Sequence, residues 1–152
     1  MSTPQLEFHN VLVAVDGSPD AELALAAAVL AVQRAHARLT IVTVAEDVTR
    51  RPGALAFDPL LQQRVDEGAE EHLQEAVEAV PADIPVRKLL RRGRPGPEIV
   101  AAATEGGHDA IFLGARGVGR VGALVGSVSH HVLHHAPMTV FVAHAPRGEQ
   151  GR

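Results

Sequence analysis

GARGVGRVGALVGSVS, residues 114–129, is the stretch on which the reading of this chain turns. An apolar run, residues 110–113, leads into it, and a helical pattern beginning at Ser127 leads out. Between them fall Gly114, Gly117, Gly119, Gly122 and Gly126. Glycine lacks a Cβ, so its backbone turns sharply and comes close to a ligand. Where such a loop runs into a helix N-terminus, backbone N–H groups meet the end of the dipole that favours an anion. Arg116 and Arg120 add positive charge. Strand, glycine loop and Ser-initiated helix in that order point to a phosphate cradle; the alternative is a flexible connection. At Gly126 the expectation is a positive φ, with any side chain intruding on the phosphates.

Outward from this loop, strand and helix patterns alternate. Residues 8–15 read as a buried strand ending at Asp16-Gly17-Ser18-Pro19, where Ser18 suits an N-cap and Pro19 the first helical position. A helix to about His36 follows, then a strand at 39–44 and a loop at 46–57 containing Arg50-Arg51-Pro52-Gly53. Asp58-Pro59 repeats the cap-plus-proline start for a helix to about Val80, with Val65, Leu73, Val77 and Val80 on its apolar side. Strands at 85–90, 110–113 and 138–143 and helices at 95–104 and 127–135 complete the pattern. Strands and helices in alternation imply an α/β fold, a parallel sheet covered on both faces. One domain over residues 8–145 is expected, with short tails at 1–7 and 146–152.

Composition narrows the function classes. The formal charge of −4 leaves no general footprint for nucleic acid or an anionic membrane. The absence of cysteine removes disulfides, zinc–thiolate sites and Cys nucleophiles. Residues 1–10 do not read as a signal peptide, and the longest apolar run, 23–32, is too short to span a bilayer. A cytoplasmic protein is expected. With four Phe and no Trp or Tyr, a base-stacking platform for single strands is disfavoured.

Gly117-x-Gly119-x-x-Gly122 matches a dinucleotide fingerprint as a string, but no acidic residue lies near Val142, where that fingerprint needs one. No Walker-type Gly-Lys-Ser/Thr occurs. His130/His134 and His131/His135 are spaced to share helix faces, yet no carboxylate or thiolate nearby completes a metal set. Val128, Val132 and Ala136 mark the buried stripe there, leaving His130 and His134 toward solvent. Arg87, Lys88, Arg91, Arg92 and Arg94 form a basic cluster that reads as a solvated strand end, or else as a docking patch for an acidic partner. His108-Asp109 is adjacent in sequence without implying catalytic geometry.

Three segments together resemble the universal stress protein (UspA) family over residues 8–143. Val11-Leu-Val-Ala-Val-Asp-Gly-Ser-Pro19 resembles its opening strand and turn. Gly114-x-x-Gly117 followed by Gly126-Ser127 resembles its ATP signature, and Ser127-Val-Ser-His-His-Val-Leu-His-His-Ala-Pro137 its last helix. One departure stands out: eight residues, 118–125, separate Gly117 from Gly126 where the family pattern has nine. The resemblance implies a doubly wound open sheet of order 3-2-1-4-5, which brings Asp16 and the glycine loop into one crevice at the switch point. It implies that Ala14, Asp16 and Val44 line the adenine and ribose end. Gly114, Arg116, Gly117, Gly126, Ser127 and the N–H of Val128 would hold the phosphates of ATP, with Mg²⁺ alongside. Asp16 could also serve only to turn the chain. A homodimer through the apolar fifth strand, 138–143, is expected, because such an edge needs covering. The implied function is an ATP-binding stress-response regulator without efficient catalysis. The shorter loop favours the alternative, an ATP-independent member acting through protein contacts.

Overall fold

The computed structural model describes residues 6–50, 58–117 and 125–146. Gly119, Arg120 and Gly122 of the glycine loop, the turn residues Arg51, Pro52 and Gly53, and the tail beyond Pro146 lie outside the described residues. In chain order the elements are β1 (Asn10–Ala14), α1 (Pro19–Ala35), β2 (Arg38–Glu46), a 3₁₀ turn (Val48–Arg50), α2 (Pro59–Ala79), β3 (Val86–Gly93), α3 (Pro95–Glu105), β4 (Ala110–Gly114), α4 (Ser127–His135) and β5 (Thr139–Ala143). Among the described residues the strands form one parallel sheet ordered β3-β2-β1-β4-β5. This is the doubly wound order that the resemblance implies.

Strand alternation divides the core in two. Val11, Val13, Leu39, Ile41 and Phe112 face α1 and α2, where Ala24, Ala28, Val32 and Leu73 meet them. Leu12, Val42, Ile111 and Leu113 face the opposite way, onto Ile99, Ala102 and Ala103 of α3 and Val132 of α4. A strand buried on both faces reads as a continuous apolar run, which is why β1 and β4 stand out in the sequence. The small faces of Ala21, Ala24 and Ala28, all buried, bring α1 close to the sheet.

Local chemistry fixes where the helices begin and end. Ser18 Oγ accepts from the Ala21 amide at 3.2 Å, and Pro19 occupies the first turn of α1. His36, in the left-handed region at φ 53°, closes it. Asp58 Oδ1 accepts from the Leu60 amide at 3.0 Å and opens α2. Strand ends depart most from expectation. β1 is shorter, while β2 and β3 pair from Leu39–Val86 through to Glu46–Gly93, beyond the expected ends at 44 and 90. The arginines at 91–92 carry no strand signature of their own; ladder pairing with Ala45 and Val44 extends the strand through them. No described helix is long and apolar enough to cross a membrane.

Candidate functional site

β1 and β4 are neighbours, and the chain winds away from them in opposite senses, so a crevice opens beyond their C-terminal ends. It forms a cleft of about 420 Å³, within the range of small-ligand sites. All nine residues singled out from the sequence line it: Ala14, Asp16 and Val44 toward β1 and β2, and Gly114, Arg116, Gly117, Gly126, Ser127 and Val128 toward β4 and α4.

The β1 side is a tight turn. Asp16 Oδ1 accepts from the Ser18 amide at 3.0 Å, and Gly17 takes φ 82°, a conformation suited to glycine. Asp16 therefore does turn the chain. Its second oxygen remains on the cleft side, 2.8 Å from where a Cβ on Gly117 would stand. Strand-one carboxylate and glycine loop thus meet in van der Waals range.

The β4 side is assembled from backbone. A Cβ on Gly114 would fall 2.7 Å from Asp20 Cβ and 2.8 Å from the Ala21 nitrogen, so only glycine lets β4 pass under the start of α1. The Gly126 amide donates to Ala115 O at 2.6 Å, and Ser129 Oγ lies 2.9 and 2.8 Å from the Gly114 and Ala115 carbonyls. These bonds anchor the first turn of α4 at the exit of β4. Gly126 caps α4 without a side-chain hydrogen bond, so the positive end of the helix is presented to the cleft by backbone alone. The expected positive φ at Gly126 is not found: φ is −78°, and an added Cβ would meet only Ala115 O at 3.4 Å and softer contacts. The loop's steric demand sits at Gly114 and Gly117 instead.

Arg116 reaches the cleft, but not as a free cation. Its amide donates to Asp20 Oδ2 at 3.1 Å, and its Nε lies 3.5 Å from the same oxygen, an ion pair without hydrogen-bond geometry. Asp20 Oδ1 accepts from the Ala145 amide at 2.9 Å. This buried carboxylate at the first turn of α1 ties together the chain leaving β4 and the chain leaving β5. The sequence shows Asp20 only as a residue that favours a helix start; its partners lie 96 and 125 positions away.

A third wall, absent from the sequence-derived set, comes from α2 and the outer end of β2. Thr43, Gly68, Ala69 and His72 line the same cleft. The His72 ring lies over Gly17, where a Cβ would be 2.5 Å from its Cε1. Gln62 fastens this wall: its Oε1 accepts from the Val48 amide, and its Nε2 donates to Glu46 O, each at 3.0 Å.

Other candidates fall outside the cleft's chemistry. The rings of His130/His134 and His131/His135 sit 4.4 and 4.1 Å apart along α4, and His131 packs against Gly96 of α3. Burial, then the neighbouring His135 and Arg94, hold His131 below the usual histidine pKa. Among the described residues no cluster of three or more His, Asp or Glu is arranged to hold a metal ion. Within the basic cluster, Arg87, Lys88 and Arg94 are exposed, whereas Arg91 and Arg92 are paired with carboxylates. Arg91 binds Glu98 and Glu105, both at 2.8 Å, which raises its pKa further, and Arg92 pairs with Asp66. His108 is buried, its Nε2 3.0 Å from Thr40 Oγ1, and Asp109 accepts from the His9 amide at 2.7 Å. They serve the end of the sheet opposite the cleft.

A model of the Universal stress protein family matches residues 7–144. A universal stress protein from Thermus aquaticus is 35% identical over 137 residues, spanning 89% of this chain and 98% of that protein. The UspA structure from Lactobacillus plantarum superposes with TM-score 0.74 at 30% identity, covering 91% of this chain and 99% of the other. A universal stress protein structure from Archaeoglobus fulgidus, described in complex with dAMP, superposes with TM-score 0.66 at 24% identity, covering 91% and 99%.

Proposed function

The chain belongs to the universal stress protein family, and from that premise we propose that it is a stress-response regulatory module that binds ATP in the cleft above β1 and β4. The observation that carries this reading is the convergence in one cleft of Asp16, the close-approach glycine Gly117 and the N-terminus of α4. Phosphates lie along Gly117, Gly126, Ser127 and the Val128 amide, where backbone donors and the helix dipole favour negative charge. Ala14, Asp16 and Val44 hold the nucleoside. Mg²⁺ accompanies the phosphates of the bound nucleotide. The complex of the Archaeoglobus relative with dAMP supports an adenine nucleotide. Mass analysis of ligand released from freshly purified protein tests the identity; a bound flavin or nicotinamide would replace ATP in this account.

The module binds without efficient chemistry. Fast phosphoryl transfer needs a positioned base or water-orienting group and strong charge neutralisation. Residues 114–129 contain no carboxylate or glutamine, and Arg116 shares its charge with Asp20. Steady-state hydrolysis is expected below about one per second, a decade under a typical enzyme. Faster turnover that is lost in Asp16→Ala would identify an enzyme instead.

The protein acts as a cytoplasmic homodimer through β5. Its residues Val140, Phe141 and Val142 are half-buried at a sheet edge, unlike the charged β3 edge. Val140→Pro removes a ladder donor and is expected to give monomer or aggregate by light scattering; a dimer untouched by it places the contact elsewhere. The eight-residue spacing favours a second reading, an ATP-independent member working through protein contacts.

A further inference from the structure

We infer that His130 and His134 of α4 form a two-histidine site for a divalent late transition-metal ion, of the Cu²⁺, Ni²⁺ or Zn²⁺ kind, with water completing its coordination. The site stands apart from the ATP reading and does not depend on it.

Spacing alone offers two equivalent pairs on this helix, and the structure tells them apart. All four histidines border one open groove that runs from Gly126 and Ser127 along α4. His130 and His134 are both exposed, their ring centroids 4.4 Å apart and their planes tilted by 56°. Two imidazoles that share one metal at about 2.0–2.1 Å place their centroids roughly 4.5–5 Å apart. A small rotation of the side chains therefore brings a nitrogen of each ring onto one ion. Among the described residues no protein hydrogen bond engages either ring, so no bond has to break first.

His131 and His135 share the spacing but not the geometry. Their rings stack within 16° of parallel at 4.1 Å. An imidazole lone pair lies in the ring plane, so stacked rings point their nitrogens side by side and not at one ion. His135 Nδ1 donates to the His131 carbonyl at 2.8 Å, and the His131 side chain lies against Gly96. This second pair is engaged by the fold.

The helix under the tilted pair is fixed. Ser129 Oγ bonds to the Gly114 and Ala115 carbonyls, and Val132 is fully buried. Ligands carried on an anchored element give up less freedom on binding than ligands on a loop. Charge at the helix end explains only part of the cluster. A histidine in the last turn is favoured by the dipole, which accounts for His134, but His130 stands in the first half of α4 and gains nothing from it. Imidazole suits copper, nickel and zinc, whereas Mg²⁺ and Ca²⁺ prefer oxygen. The chain has no cysteine to compete for such an ion.

The test is calorimetric titration of the untagged full chain with copper(II) chloride at about pH 7.5, above the ordinary histidine pKa. Electron paramagnetic resonance reads the nitrogen ligands. His134→Gln and His135→Gln are compared, each confirmed as folded by circular dichroism. Wild type is expected to bind copper with coupling to two imidazole nitrogens. His134→Gln should lose at least about tenfold in affinity and one imidazole from the spectrum. His135→Gln should stay within about threefold of wild type. Equal losses in the two variants, or a loss in His135→Gln alone, would overturn the assignment to the tilted pair. Wild-type affinity in both variants would place the copper elsewhere, and a wild type that takes up no copper would refute the site outright.

Discussion

The β4–α4 wall of the cleft is made of backbone, whereas the β2–α2 wall is made of side chains and the space between them. On the first, Gly114 and Gly117 let chains approach where a Cβ would collide, and Ser129 and the Gly126 amide lock α4 onto β4. On the second, Thr43 and His72 hold unpaired polar atoms, and Gly68 faces nothing. A backbone wall suits a ligand part common to many molecules, such as a phosphate. A side-chain wall can distinguish one ligand from another, because its donors and acceptors differ by residue.

The largest expected effect falls on the anchor of the backbone wall. Asp20→Ala leaves the Arg116 and Ala145 amides without their acceptor and Arg116 Nε without its counter-charge. The predicted loss is about 2–4 kcal/mol of unfolding free energy, read by denaturant titration. A loss under about 0.5 kcal/mol would mean that water replaces the carboxylate and the wall is not held this way.

Gly117→Val comes next. Its Cβ would press on Asp16 Oδ2, so ATP affinity should fall about a hundredfold with the fold intact by circular dichroism. Gly126→Ala sharpens the contrast, since an added methyl finds ordinary contact at φ −78° and should leave unliganded stability within about 0.5 kcal/mol. Equal consequences at the two glycines would erase the distinction between a close-approach position and a tolerant one.

On the side-chain wall, Gly68→Ala should stabilise α2 by about 0.5–1 kcal/mol, because the helix gains propensity and the methyl meets no neighbour. Destabilisation would show that the space beside Gly68 is already filled by the protein.

These walls were unequally legible in the sequence. Gly114, Gly117, Gly126 and Ser127, which line the cleft, declare themselves because glycines between a strand and a helix form a local pattern. Ser18-Pro19 and Asp58-Pro59 mark helix starts through capping chemistry that acts over three residues. Asp20, Thr43 and His72 gave no such signal. Their roles depend on contacts across the fold, and an Asp near a helix start or a Thr in a strand is what propensity alone expects. The positive φ anticipated at Gly126 failed for the same reason: glycine content suggests a turn but does not say which glycine makes it. The extra length of β2 and β3 came from pairing through Arg91 and Arg92, whose charges are then met by Glu98, Glu105 and Asp66.

The smallest expected effect lies away from both walls and serves as their control. Burial lowers the His108 pKa, outweighing the hydrogen bond to the Ala103 carbonyl that acts the other way. The folded state therefore binds fewer protons than the unfolded one below the ordinary histidine pKa of about 6.5. Stability from this group is complete above that value and is lost as pH falls through it toward the lower folded value. His108→Gln has no such proton to take up, so the melting gap between wild type and variant should narrow from about pH 7.5 to about pH 5.5. ATP binding at neutral pH should be unchanged in the folded variant; a change would connect the two ends of the sheet.

The central claim is that this cleft binds ATP, and a thermal melt with and without the nucleotide tests it most directly. With ATP and Mg²⁺ at about 100 times the dissociation constant, binding should add about 2.7 kcal/mol. At about 2–4 °C per kcal/mol for a chain of this size, the midpoint should rise by about 5–11 °C. A midpoint unmoved by millimolar ATP and Mg²⁺ would contradict the account.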